Sequence, residues 1–450
     1  MLLGCHNADG VASEKEEQMM GRMTRPCNAA VPRRESSQKA GQTSGGMKRS
    51  RSCGLHVFQL KGTANDLEEY RTSTRNREPS SKLSYQTNSD SCIDSSTLDC
   101  SHTDFKYRTI DGSCNNPFYP SSGMANTAYQ RLLAPNYADE IHSMPVSRSR
   151  NPLPSARLLS YKVFGRDTIP DPHFTLLNMQ WGQLIAHDTS LHLENGVPGL
   201  KPLEEKLQIC CNTSGRYEKR MSALICRPIP VPKDDPYLKG KECIDFGRSV
   251  TDKDFNCPRT KHPTHAEQLN GNTHYLDLSF VYGSSGELSY ALRLFDKGLL
   301  RTNDFRRKWP PRPENPESQC PLGRSGGICY EFGDIRGNQN PGLTVLQIVF
   351  LREHNRLARE LRKLNSHWDD ETLFQEARRI NIAQFQYISY YEWSLVFFGN
   401  ERMRRYDLIF NTHNGEYVND YDPHVQLRSI QSFQHAAFRY FHDQIVGLLQ

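Results

Sequence analysis

A chain of 450 residues with a formal net charge of +5 has room for one large domain or several smaller ones, and so mild a charge excludes a dedicated nucleic-acid binder. No apolar run reaches the roughly 18 residues that a membrane-spanning helix needs. Thirteen cysteines, none in a C-x-x-C array, point to disulfides in an oxidising compartment and away from structural zinc, and their odd number leaves at least one without an intrachain partner.

Residues 1–104 are rich in Ser, Thr, Asn, Gly, Lys and Arg and show no sustained apolar period, so a disordered segment is expected there. Its basic run from Arg22 to Arg51 reads as a solvated tail. No charged start is followed by an apolar stretch, so no signal peptide is expected at this N-terminus, although the cysteines favour secretion. From Phe105 to Gln450 the texture is that of a mainly α-helical domain with long loops and little β. Prolines break up 115–172. A helix is predicted from about Phe174 to Ser190, with Leu176, Leu177, Gln180, Leu184 and His187 at helical spacing. Residues 195–270 read as loops with five cysteines. They also carry Asn212-Thr213-Ser214, an N-glycosylation acceptor if the chain is secreted. Helices are predicted from Leu343 to Asn365 and from Asp370 to Gly399, and a last one from near Val425 to the chain end.

Four segments carry chemistry. On the first helix Gln183 and His187 share a face, with Asp188 turned about 100° away. An imidazole beside a carboxamide can shuttle a proton between two oxygens, and it can equally be a satisfied core histidine. In 272–283, Thr273, Tyr275, Asp277 and Ser279 alternate. In extended or looping backbone that places oxygens on one side, as Ca²⁺ requires, or as a solvated strand would show. Asp188 is the natural second carboxylate. Arg336 lies in the Gly-rich loop 333–342, either as a fixed cation near a reacting oxygen or as a partner of Asp334. His435 and His442, seven apart, share a helical face, and spacing alone does not choose between them as an iron ligand.

Together with Tyr107-Arg108-Thr109-Ile110-Asp111-Gly112-Ser113-Cys114-Asn115-Asn116 and Leu351-Arg352-Glu353-His354-Asn355-Arg356-Leu357-Ala358, these segments resemble the signature set of the animal haem peroxidases, the peroxidase–cyclooxygenase superfamily. Within it the texture is similar to arthropod secreted peroxidases of the chorion-peroxidase and peroxinectin kind. The resemblance covers 105–450 and implies a haem peroxidase that reduces hydrogen peroxide, oxidises a small phenolic or tyrosyl donor and serves the response to oxidative stress. It assigns His187 as distal acid–base, Gln183 and Arg336 as its helpers, and His442 as the axial iron ligand. Arg439 and Gln339 become further haem contacts, and Asp188, Thr273, Tyr275 (by its carbonyl), Asp277 and Ser279 the Ca²⁺ shell.

Where many members carry carboxylates esterified to haem, this chain has Ala186 and Gln339, so haem b is expected without covalent links. Asn340 stands where the halide-oxidising members have Met, which argues against strong halide oxidation. Phe441 stands where Gly is common, so packing beside His442 is expected to differ. The family pattern continues past the axial histidine, so the domain is expected to be incomplete at its C-terminus. Other readings of the same residues are a non-catalytic adhesion or matrix protein, and catalase-like peroxide dismutation.

Overall fold

In the computed structural model the described residues are 98–101, 103–164, 169–193, 210–212, 214–217, 226–255, 265–303, 308–313, 328–410, 418 and 421–445. The basic run 22–51 and Thr213 of the glycosylation acceptor lie outside them. Among the described residues the element order is β1 (Thr127–Ala128), α1 (Ala156–Phe164), α2 (Leu176–Thr189), β2 (Ile229–Pro230), β3 (Cys243–Ile244), β4 (Leu269–Asn270), α3 (Ser279–Tyr282), α4 (Gly286–Leu292), α5 (Pro341–Leu364), α6 (Asp370–Tyr387), α7 (Ser394–Phe398), α8 (Asn400–Arg405) and α9 (Gln431–His435). The expected mainly helical architecture is what forms. The β structure is confined to two antiparallel two-residue pairs, β1 with β4 and β2 with β3.

The long helices start where their sequences supply caps. Asn340 Oδ1 accepts from the Leu343 N–H at 2.9 Å and Pro341 occupies the first turn of α5, while Arg362 and Lys363 sit in its last turn. Asp369 caps α6 by accepting from Thr372 N–H at 2.8 Å, with Asp370 and Glu371 in the first turn. On α5 the buried residues Leu343, Gln347, Phe350, Leu351, His354, Leu357 and Ala358 form one stripe, which packs against α6. The single helix expected over Asp370–Gly399 is three pieces. After Tyr387 one π-helical turn, Ile388–Trp393, re-aims the chain before α7.

The helix α2 is buried on more than one side. Met179, Trp181, Gly182, Leu184, His187 and Asp188 are all buried, whereas Leu177 of the expected apolar stripe is exposed. The reason is position. Residues of α2 enter the main core with Phe280, Phe350, Phe385, Trp393, Phe438 and Phe441, so α2 has neighbours around most of its circumference. Disulfides Cys100–Cys114, Cys210–Cys226 and Cys211–Cys243, each between described residues, pin the loop-rich parts. Each closes a loop whose conformational freedom would otherwise oppose folding.

The Leu351–Ala358 motif has a structural job. His354 Nε2 donates to the Gly298 carbonyl at 2.9 Å, so its Nδ1 is the acceptor and takes the Tyr282 hydroxyl proton at 2.9 Å. That hydroxyl oxygen in turn accepts from Asn381 Nδ2 at 3.0 Å. Asn355 accepts from the Leu300 N–H at 2.8 Å and donates to the Leu300 carbonyl at 3.1 Å. Burial holds the His354 imidazole at about 4. Replacing His354 with Leu strands a buried hydroxyl and a carbonyl, and is expected to cost about 2–4 kcal/mol in denaturant unfolding at pH 7.5. The depressed pKa means that the unfolded chain binds the proton first, so the advantage of His over Leu should shrink as pH falls from about 6.5 toward 4. A gap that is flat across this window would contradict the buried neutral imidazole.

Candidate active site

The C-terminal turn of a helix leaves carbonyls without intrahelical partners. In α2 side chains take them. The His187 carbonyl accepts from Asn272 Nδ2 at 2.6 Å and from Arg336 Nη2 at 3.0 Å. The Asp188 carbonyl accepts from Ser279 Oγ at 2.9 Å. The Thr189 carbonyl accepts from Asn270 Nδ2 and Ser429 Oγ, each at 3.0 Å. Gln434 Nε2 adds a bond to Thr189 Oγ1 at 2.9 Å. This anchoring fixes the end of the helix that carries His187, and the Arg336 cation lies at the negative end of the helix dipole.

His187 is 5% exposed and its Nδ1 is buried without a hydrogen-bond partner. Burial first, then the Arg336 charge, lowers its pKa to about 3, so the imidazole is neutral. One turn earlier, Gln183 Oε1 accepts from Gln180 Nε2 at 2.8 Å and from Asn340 Nδ2 at 3.0 Å. Its Nε2 donates to Gln339 Oε1 at 3.0 Å. The carboxamide orientation is therefore set, with one N–H left over.

Arg336 sits in a 3₁₀ turn, Ile335–Asn338, capped by Asp334. Its Nε is 2.9 Å from Asp334 Oδ1, and Nη2 serves both Asp334 and the His187 carbonyl. The two readings of Arg336 left open by sequence thus meet in one residue: it pairs with Asp334 and also abuts the His187 helix end. Burial by itself would raise the Asp334 carboxyl, but Arg336 holds it at about 2.

The segment 272–278 is an irregular loop, the looping alternative to the solvated strand. It closes on Leu278, whose φ of 62° is left-handed and which is fully buried. This turn points the Leu278 and Ser279 N–H groups at Asp188, at 3.1 and 2.5 Å, with Ser279 Oγ at 2.9 Å. Thr273 Oγ1 donates to Asp277 Oδ2 at 2.8 Å, and Asp277 Oδ1 is buried without a partner. Burial raises both carboxyls, and the charge of Asp277 raises Asp188 further. Thr273, Asp277, Ser279 and Asp188 are thus interconnected, with two repelling carboxylates and one orphaned oxygen. The Tyr275 side chain points elsewhere, donating to the Ser122 carbonyl at 3.0 Å. No cluster of three or more His, Cys, Asp or Glu suited to a metal occurs among the described residues, so any cation here would rely on hydroxyl and carbonyl oxygens as well.

The expected helix from Val425 to the chain end does not form. Residues 426–429 have no regular secondary structure, α9 begins at Gln431, and the helix breaks at Ala436 before a 3₁₀ stretch, Ala437–Gln444. His435 and His442 therefore do not share a face. His435 packs on Tyr129 and His192, with ring centroids 4.7 and 4.2 Å apart. His442 is exposed. Partial burial and then the Arg439 charge lower its pKa. Arg439 Nη2 lies 2.7 Å from His192 Nε2, within electrostatic reach of Arg336 and His187. Phe441 turns inward against Gly182, where a β-carbon would come 2.5 Å from its ring, and packs with Phe397 and Phe438.

Sequence reasoning missed Asn272, Asn270, Ser429, Gln180 and His192. Most of them act across long sequence separations, Asn272 on the His187 carbonyl and Asn270 and Ser429 on the Thr189 carbonyl, while Gln180 acts locally on Gln183 and reads in the sequence only as a residue of the helix face. Asp334 and Asn340 were more accessible, lying within the same short segment as Arg336.

The description "Animal haem peroxidase" matches residues 107–450. A Drosophila melanogaster protein named Peroxidase is 46% identical over 347 residues, which are 76% of this chain and 49% of that protein. A Chorion peroxidase of Aedes aegypti is 37% identical over 356 residues, covering 77% of this chain and 43% of its own length. The solved structure of Peroxidase A from Dictyostelium discoideum superposes with a TM-score of 0.55 at 26% identity, covering 75% of this chain and 59% of that one. The chain spans about half the length of the curated relatives it matches.

Proposed function

Because the chain belongs to the animal haem peroxidase family, we propose that it is a secreted, peroxide-reducing oxidoreductase that holds haem b without covalent links and uses His187, Gln183 and Arg336 on the peroxide side. The observation that carries this reading is the buried, neutral His187 with an unpartnered Nδ1, anchored by Arg336 through its own carbonyl.

Haem, when bound, would supply the redox chemistry that reduces hydrogen peroxide at the expense of a small phenolic or tyrosyl donor. The protein's share is proton handling and positioning. A neutral His187 can take a proton from one peroxide oxygen and return it to the other. The spare N–H of Gln183 can orient the peroxide, and the Arg336 charge favours the anion formed as the oxygen–oxygen bond lengthens. His442 would hold the iron, with Arg439 and Gln339 as further contacts. Ala186 and Gln339 carry no carboxylate for an ester. Asp188, Thr273, Asp277, Ser279 and the Tyr275 carbonyl would hold Ca²⁺. The orphaned Asp277 Oδ1 and the repulsion between the two carboxyls support that assignment. The disulfides among the described residues support secretion.

A Soret titration of the purified chain with haem, followed by peroxide-dependent oxidation of a phenolic donor, tests this reading. Absence of any haem uptake would assign the chain to the non-catalytic, adhesive class. Phe441 sets the expected affinity, because its ring fills the side of α2 at Gly182, one turn from Ala186. Moving a buried Phe into water costs about 1.5–3 kcal/mol, enough to weaken haem binding roughly 10- to 100-fold. Phe441→Gly is therefore expected to tighten haem binding by about that factor while lowering the haem-free Tm. Unchanged affinity would show that the ring is not in the way.

A further inference from the structure

Beside the 272–279 loop and apart from the His187 cluster, Lys106, Tyr107 and Arg108 run past α6, and the two segments line a cavity of about 290 Å³. Its wall is cationic, with Lys106, Arg108, Arg378 and Arg379 all lining it. Glu376 answers two of the four, lying 2.8 Å from Lys106 Nζ and 3.0 Å from Arg379 Nη2. The other two have no ion-pair partner among the described residues. Arg108 lies over the Tyr275 ring with its guanidinium carbon 5.4 Å from the centroid. Arg378 donates to the neutral carbonyls of Arg108 and Thr109.

Arg378 is the telling residue. It is only 3% exposed, and its Nε–H is buried without a hydrogen-bond partner. A buried guanidinium with no carboxylate in direct contact is costly, and the cost falls when an anion shares its cavity. Asp277 lies within electrostatic reach of Arg378, but its charge is the one assigned above to a cation. Guanidinium groups match oxyanions in shape and charge better than they match halides. The volume sits at the lower end of small-ligand sites, which suits one phosphate group with a short substituent.

We propose that this cavity is a phosphate-binding site, taking inorganic phosphate or a small phosphate monoester on Arg378 and Arg108, with Lys106 and Arg379 at its rim. Nothing in peroxide chemistry requires it, and the site stands whether or not the chain binds haem.

Isothermal titration of the full chain with inorganic phosphate, in chloride buffer of constant ionic strength, should show saturable one-to-one binding. Arg108→Gln keeps the backbone carbonyl that Arg378 uses, so it should fold normally by circular dichroism and bind phosphate at least tenfold more weakly. Arg404→Gln, on the separate helix α8, should bind like the parent chain. A parallel titration with phenyl phosphate distinguishes the sources: tighter binding than inorganic phosphate identifies a monoester as the ligand, weaker binding the free ion. The proposal is overturned if phosphate gives no saturable signal, or if Arg108→Gln and Arg379→Gln both bind it as the parent does.

Discussion

Replacing His442 with Ala is expected to abolish the Soret band that haem produces with the parent chain, whereas His435→Ala should retain it. Loss of the axial imidazole should weaken haem binding by more than about 100-fold, since even outer partners of a metal ligand are worth roughly 10- to 100-fold. The two histidines differ in what they already do. His435 is wedged between the Tyr129 and His192 rings, so its removal leaves a gap and should appear as a lowered Tm. His442 is exposed and makes no side-chain hydrogen bond among the described residues, so its removal should cost little stability. Parent-like haem affinity in His442→Ala would remove His442 from the site.

The second large effect concerns the paired carboxyls of α2 and the 272–279 loop. Calcium is expected to raise the Tm of the parent chain, the gain being about 2.7 kcal/mol when the ion is at 100 times its dissociation constant. Asp277→Asn should eliminate that gain, each chain being compared with its own Tm in EGTA, because the substitution removes both the repulsion on Asp188 and the charge facing Arg378. The sign of the pH dependence follows from the raised carboxyls. In EGTA their contribution is fully present below the unfolded value near 3.9 and is lost as pH rises through the folded values, so calcium should matter more at pH 7.5 than at pH 5. A calcium effect of the same size in Asp277→Asn would place the ion elsewhere.

Much of this was legible in the sequence, for identifiable reasons. The α5 and α6 helices were legible as long uninterrupted runs, and the structure shows that local chemistry fixes their starts, Asn340-Pro341 at one and Asp369 at the other. Gln183 and His187 shared a face because the helical period guarantees it. What failed depended on the rest of the fold. Leu177 fitted the stripe but faces water, because partners on other sides set the burial of α2. The alternation over Thr273–Ser279 left strand and loop open, and the left-handed Leu278 with its bond to Asp188 makes it a loop. The seven-residue spacing of His435 and His442 assumed one helix, and the break at Ala436 cancels it.

The anchoring of the α2 terminus also dictates when the molecule can mature. Asn272 and Ser279 come from about ninety residues downstream, while Gln434 is 245 residues beyond Thr189 in sequence. At roughly 5–20 residues per second, the ribosome releases Gln434 some 12–50 s after Thr189. Until then the helix that carries His187 emerges with its last carbonyls only partly claimed. A nascent chain paused before residue 429 should therefore show fast amide exchange in that last turn, and its release should slow the exchange abruptly.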